Sequence, residues 1–158
     1  MSVGSNTRAA QDLDEIDKTL IRELQNDGRV PFTRLAPQVG LSEAATRQRV
    51  NKLVKGGVMQ IVAVTDPAML GIRHRAMVGI NVDTDVRKVA AELERIDAGV
   101  YLVVTAGRYD ILLEIFTTDE AEFLNVLNGP VRSVSGIRNL EILTYLDLVK
   151  QTYNWGTG

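Results

Sequence analysis

The sequence predicts an α+β protein: a small helical unit with a trailing wing, followed by a ferredoxin-like domain of two helices on a sheet. Three observations predict it. Apolar residues recur at helical spacing through the first third of the chain. After Asp66-Pro67 the rhythm becomes strand, helix, strand, and then repeats. Between Arg29 and Lys55, six basic residues (Arg29, Arg34, Arg47, Arg49, Lys52, Lys55) stand against one acid, Glu43, in a chain of formal net charge −2. A basic excess this local is the footprint of a surface that faces a polyanion.

Leu13, Ile16, Leu20 and Leu24 lie three or four residues apart and predict a helix over residues 13–25. Asp12 with Glu15 has the spacing of a capping box at its start, and Asn26-Asp27-Gly28 ends it. A second helix is expected over 33–39 and a third over 43–55. Ala36 is small enough for two helices to cross closely, Gly40 supplies the turn, and Ser42 can cap the third helix. Gly56-Gly57 terminates it. Residues 58–64 are rich in β-formers and predict a short strand or wing, and Asp66-Pro67 marks a linker. Beyond it, strands are expected over 75–82, 100–105, 111–116 and 140–149, and helices over 86–96 and 121–131. Val89, Ala90, Leu93 and Ile96 share one face of the first of these helices. Two β-α-β units in tandem, about 35 residues each, are the signature of a split ferredoxin-like fold. Its helices cover one face of the sheet, so the other face must meet something, and in an oligomer it meets another copy. The expected boundaries are a helix-turn-helix domain over 12–58, a strand and linker over 59–72, and a βαββαβ domain over 73–150.

Composition narrows the function classes. With 45% hydrophobic and 24% charged residues, the chain has the balance of a globular protein. No apolar run approaches the roughly 20 residues that cross a bilayer, so no membrane partner is expected. Residues 1–11 lack a secretory pattern, are small and polar, and are expected to form a frayed tail. The absence of cysteine excludes disulfides, thiolate metal sites and cysteine nucleophiles. A single histidine, His74, makes a histidine metal site unexpected; it is expected at a strand start. No cofactor is expected, and the expected location is the cytoplasm. Residues 1–66 hold nine basic and eight acidic side chains, whereas residues 67–158 hold nine and twelve. Only the front part can have a basic face.

With Val50 taken as the core direction, stepping 100° per residue turns Thr46, Val50, Leu53 and Val54 inward on the third helix. Ala44, Ala45, Gln48, Asn51, Lys52 and Lys55 point away, and Arg47 and Arg49 flank them. This outward face fits a major groove. Small residues permit close approach, amides pair with adenine edges, and Lys or Arg reach guanine or phosphate. The bland alternative is a solvated amphipathic helix. The preceding helix, the Ala-x-x-x-Gly turn and the trailing wing favour DNA.

These residues, and those after them, resemble the Lrp/AsnC family of transcriptional regulators. The resemblance rests on Leu13-Asp14-x-x-Asp17-x-x-Leu20-Ile21, Val39-Gly40-Leu41-Ser42, Arg49-Val50-x-x-Leu53 and Gly57-Val58-Met59. It continues through Asp66-Pro67-x-x-Leu70-Gly71 and Gly107-Arg108-Tyr109-Asp110. It implies a winged helix-turn-helix followed by a βαββαβ domain of the RAM, or ACT-like, kind. It also implies dimers that pair through their sheets, assembly to octamers, and an amino acid or related metabolite bound between dimers. The outward and flanking residues of the third helix, with Arg34 and Ser42 of the same stretch, make the expected DNA-contacting set Arg34, Ser42, Ala44, Ala45, Arg47, Gln48, Arg49, Asn51, Lys52 and Lys55. Carried onto this chain from the family, the effector set is Thr105, Ala106, Gly107, Arg108, Tyr109 and Asp110, with Thr144 and Tyr145 as further candidates. Gly107 lets backbone N–H groups approach a carboxylate, and Asp110 can receive an ammonium group. The plain alternative is a hairpin turn with Tyr109 packed and Asp110 capping backbone amides. Two residues depart from the pattern. Pro37 removes a donor inside the second helix, and Glu43 suits the helix dipole but repels phosphates.

The ferredoxin-like fold also hosts enzymes, but no second histidine, thiol or glycine-rich phosphate loop accompanies His74. Asp83 and Asp85 are read as a helix cap and a solvated partner. No catalytic residue is expected. The remaining alternative is an architectural, nucleoid-like DNA protein that answers to no small molecule.

Overall fold

The computed structural model describes residues 12–152, which divide into two compact units, residues 12–64 with 150–152 and residues 65–149. The tail expected over residues 1–11 lies outside the described residues.

The first unit holds α1 (Glu15–Asn26), α2 (Phe32–Gln38) and α3 (Glu43–Lys55). α1 starts later than expected, and its cap is Asp14 rather than Asp12. The extended backbone at Asp14 lets its carboxylate accept the Asp17 N–H at 2.8 Å. α2 includes Pro37, whose missing donor falls in the last turn of this seven-residue helix. Beyond it the chain folds back, with the Val39 and Leu41 N–H groups both reaching the Ala36 carbonyl, at 3.3 and 3.1 Å. Gly40 makes the turn at φ +65°, a region costly for any other residue. Ser42 caps α3, as expected, by accepting the Ala45 N–H at 3.2 Å. Leu20, Leu24, Val30, Leu35 and Val50 form the core, with Ile16, Phe32, Val39 and Met59 packed on it. Thr46 and Leu53 are buried as expected, but Val54 is 39% exposed. The strand expected over 58–64 is not formed. A ladder needs an open edge, and three helices offer none. Ile61, Val62 and Val64 therefore remain half or more exposed.

The second unit opens with a 3-10 turn at Pro67–Leu70. It continues as β1 (His74–Val82), α4 (Val86–Leu93), β2 (Gly99–Val104), β3 (Ile111–Thr117), α5 (Glu120–Val126) and β4 (Ile137–Thr144). The strand order is β2-β3-β1-β4, with every neighbouring pair antiparallel, which is the ferredoxin-like arrangement. Asp85 caps α4 by accepting the Arg87 N–H at 2.9 Å. α4 ends at Leu93 rather than at residue 96. α5 widens into a π turn, Leu127–Val131, where Pro130 lacks an N–H and Arg132 donates to the Leu127 carbonyl at 3.1 Å. β4 begins and ends earlier than expected, at Ile137 and Thr144. Thr144 pairs with Ala76, the Tyr145 N–H reaches the Arg75 carbonyl at 2.9 Å, and Leu146 is then 97% exposed.

Alternation along the strands sorts the two faces. Ala76, Val78 and Ile80 of β1 and Ile111, Leu113 and Ile115 of β3 point toward Val89 and Leu93 of α4, Phe123 of α5, and Leu127 and Val131. His74 opens β1, as expected, with its ring 4.3 Å from that of Phe123. The opposite face carries Met77, Tyr101, Val103, Leu112, Phe116 and Leu143, partly or largely exposed, with no helix of this unit over it.

Candidate DNA interface and effector loop

The exposed side of α3 is an open groove lined by Ala44, Arg47, Gln48, Asn51, Lys52, Lys55 and Gly56. Six of the ten residues expected to contact DNA therefore lie together, and the helix periodicity alone places them so. Arg47 is held from two sides. It donates to Glu43 Oε1 at 3.0 Å, and its guanidinium carbon lies 4.9 Å from the centre of the Phe32 ring. Arg34 is exposed on α2, outside this groove. The Ser42 hydroxyl is occupied in capping, and Ala45 is half-buried beside α1.

Arg49 is placed differently from the expectation. Its Nη1 donates to Asp14 Oδ2 at 2.6 Å and Asp17 Oδ1 at 2.8 Å, which ties the middle of α3 to the start of α1. Asp17 keeps 15% of its side-chain surface and Arg49 34%, whereas Asp14 keeps 51%, so the clamp is enclosed on its Asp17 side and open at Asp14. The Asp14 carboxyl is held below its ordinary value, first by the Asp17 N–H and then by the Arg49 guanidinium. Arg49 braces the helix that carries the groove.

The loop over residues 105–110 closes the β2–β3 hairpin and is fastened by six hydrogen bonds. The Thr105 N–H donates to the Asp110 carbonyl at 2.9 Å, and the Thr105 hydroxyl to the Tyr109 carbonyl at 2.6 Å. Asp110 receives the Val82 N–H on its carboxylate at 2.9 Å and gives its own N–H to the Ile80 carbonyl at 3.0 Å. The Asn81 amide donates to the Arg108 carbonyl at 2.8 Å, and Arg108 donates to Glu141 at 2.7 Å. The Tyr109 ring lies flat over Gly79, where a Cβ would come within 2.7 Å of it. A hydrogen bond to Glu141 is the main cause that raises the Tyr109 hydroxyl's pKa. The tip is open: Gly107 adopts φ +151° with free space around it, and Ala106 and Arg108 are exposed.

Thr144 and Tyr145 do not join this loop within one chain. Thr144 pairs with Ala76, whereas the loop bonds to Ile80, Asn81 and Val82. That separation along β1 is about 13–20 Å. The Tyr145 hydroxyl instead donates to Glu114 at 2.8 Å.

Comparison with known proteins fits both units. Residues 13–54 match the AsnC-type helix-turn-helix domain, and residues 72–158 match an AsnC-type regulatory domain described as a C-terminal dimeric alpha+beta barrel. The chain belongs to the Lrp/AsnC family. It is 32% identical to the HTH-type transcriptional regulator FL11 of Pyrococcus horikoshii over 89% of this chain and 93% of that one. It is 29% identical to a proline dehydrogenase transcriptional activator of Rhizobium radiobacter over 94% and 98%. The leucine response regulatory protein LrpA of Mycobacterium tuberculosis superposes with a TM-score of 0.81 at 27% identity, over 90% of this chain and 99% of that one. This Lrp/AsnC chain is thus a DNA-binding transcriptional regulator whose matched domains are not enzymes, and its regulatory domain is of a dimeric type. Among the described residues, no helix is long and apolar enough to cross a membrane.

Sequence reasoning missed the partners that fix these sites. Asp14 and Asp17 hold Arg49, Phe32 supports Arg47, and Gly79, Asn81 and Glu141 secure the loop. Asp14 and Asp17 stood in the family motif itself, and their acidity near a basic helix was the available signal. The strand partners had none, because register is not written locally.

Tyr145 offers a test of the sheet's own electrostatics. Burial, and then the bond to Glu114, push its hydroxyl up to about 12 from 10.0. The folded form therefore keeps a proton that the unfolded chain releases. Stability of this unit is expected to be unaffected below pH 10 and to fall as pH rises toward 12. In Tyr145→Phe that decline flattens, as read from denaturant midpoints across the alkaline range. An equal decline in both proteins assigns it to other groups.

Proposed function

We propose that this regulator acts sequence-specifically on genes of amino-acid or related metabolism, in the cytoplasm, under control of a small molecule bound between subunits at residues 105–110. The effector is an amino acid, and the dimers assemble further, to an octamer. The observation that carries the reading is the loop: a tip with an unobstructed backbone, held in place by four hydrogen bonds that involve side chains. A carboxylate fits the exposed backbone at Gly107. Asp110 keeps one carboxylate oxygen beyond the Val82 bond for an ammonium group. The names of two relatives, tied to proline dehydrogenase and to leucine response, support amino-acid metabolism as the regulated process.

The mechanism is linkage. A ligand between subunits shifts assembly only by binding one arrangement more tightly, and assembly sets which DNA sites are engaged together. Within each helix-turn-helix, the α3 groove meets the major groove. Gln48 and Asn51 read base edges, while Lys52 and Lys55 reach phosphates.

The test joins a thermal-shift screen of the amino acids to sedimentation size and DNA titration. At least one amino acid is expected to raise the melting temperature and to change size or DNA affinity. Gln48→Ala is expected to relax base preference, and Lys52→Ala to weaken all sequences alike and lower the salt slope by about one. Equal binding to scrambled DNA, with no amino-acid response, would instead identify an architectural DNA protein.

A further inference from the structure

The first residue of α3 is an acid, Glu43, beside a groove whose charged side chains are all basic. Glu43 is 46% exposed, and its carboxylate holds Arg47 from one side while the Phe32 ring holds it from the other. As a surface pair on one helix, Glu43 and Arg47 contribute little to stability, so stability does not account for the arrangement. Its position does. The N-terminal residues of a recognition helix contact base edges, and a carboxylate there opposes the DNA phosphates whatever the sequence. That repulsion is offset only where the groove presents an amino donor. Cytosine N4 and adenine N6 are both amino donors in the major groove, and cytosine N4 is the usual partner of a Glu; the Arg47 beside Glu43 favours the G·C pair, because guanine O6 and N7 accept the donors of an Arg.

We propose that Glu43 is a specificity-determining residue: with Arg47 held between it and Phe32, it selects a G·C pair at the start of α3 and lowers affinity for all other DNA. Arg47 supplies attraction to guanine. Glu43 supplies the bond to the cytosine amino group and the repulsion that discriminates against sequences lacking it. The Phe32 ring, 4.9 Å from the guanidinium carbon, and Glu43 together hold Arg47 in place, which reduces the ordering cost of reading a base. This inference rests on the sequence-specific regulator reading.

The experiment is selection of bound DNA from a random-sequence pool by full-length wild type and by Glu43→Gln, with each protein also titrated against mixed-sequence duplex. Circular dichroism and melting temperature check that the variant folds. Wild type is expected to select a G·C pair at one fixed position of each half-site. Glu43→Gln is expected to lose that preference, to bind mixed-sequence duplex more tightly, and to show a specific-to-mixed ratio roughly tenfold lower. A variant that keeps the wild-type base preference overturns this inference alone, whatever its affinity. A variant that loses the preference without gaining mixed-sequence affinity overturns the repulsive role of Glu43. A wild type with no base preference overturns both this inference and the sequence-specific reading.

Discussion

Arg49→Ala is expected to weaken binding to every DNA sequence while leaving the salt slope unchanged. The two expectations belong together. Arg49 is the link between α3 and the first turn of α1, through bonds of 2.6 and 2.8 Å to Asp14 and Asp17. Without it two carboxylates remain side by side with no cation between them, one of them largely enclosed. α3 then loses its brace, and the groove it presents is no longer held in one orientation. Counterion release, however, depends on the cations that meet phosphates, which under the proposed reading are Lys52 and Lys55. The helix-turn-helix unit is expected to melt at a lower temperature in this variant, and Arg49→Lys to restore part of the loss because it keeps the charge. Acidification should reproduce the effect only in strong acid. The Asp14 carboxyl sits below its ordinary 3.8, so its contribution is present above that value and is lost as pH falls through its lowered one. A salt slope that drops by about one with unchanged melting would return Arg49 to the phosphate contacts expected from sequence.

Gly79→Ala carries the second large effect, in the other unit. A methyl at this position meets the Tyr109 ring at 2.7 Å, including the ring carbon nearest the backbone, so a small rotation does not relieve it. Tyr109 must leave the sheet, and its bond to Glu141 goes with it. Overpacking of this kind costs about 1–3 kcal/mol. The core on the far side, Ile80 and Leu113 among its members, is not touched. The variant is expected to lose stability by that amount and its amino-acid response, yet to keep ligand-free DNA affinity. Combining it with Tyr109→Ala removes the clash, so the double variant is expected to be more stable than the two single losses predict. Strictly additive losses would show that the two side chains do not compete for the same space.

Most of the architecture was legible because its signals are local. Ser42 capping α3, the burial of Thr46, Val50 and Leu53, and the alternation along β1 and β3 follow from one helix turn or one pleat at a time. What escaped depends on distant chain. β4 ends where its ladder with β1 ends, at Thr144 opposite Ala76, and residues 58–64 stay unpaired for want of an edge. The candidate sites divide the same way. The α3 groove could be read from periodicity, whereas the Arg49 clamp spans 32 residues and the Arg108–Glu141 pair 33. Asp110 was read as able to receive an ammonium group or to cap a backbone amide, and the Val82 N–H occupies one of its carboxylate oxygens, a partner that sequence did not indicate.

The sheet keeps residues 105–110 and Tyr145 at opposite ends of β1, and a strand does not shorten. A small molecule that touches both must take one end from each of two chains, so its pocket does not exist until the chains have met. Its half-saturating concentration then falls as the protein becomes more abundant. Such a regulator measures its own amount along with the metabolite, and a cell could retune it simply by making more of it.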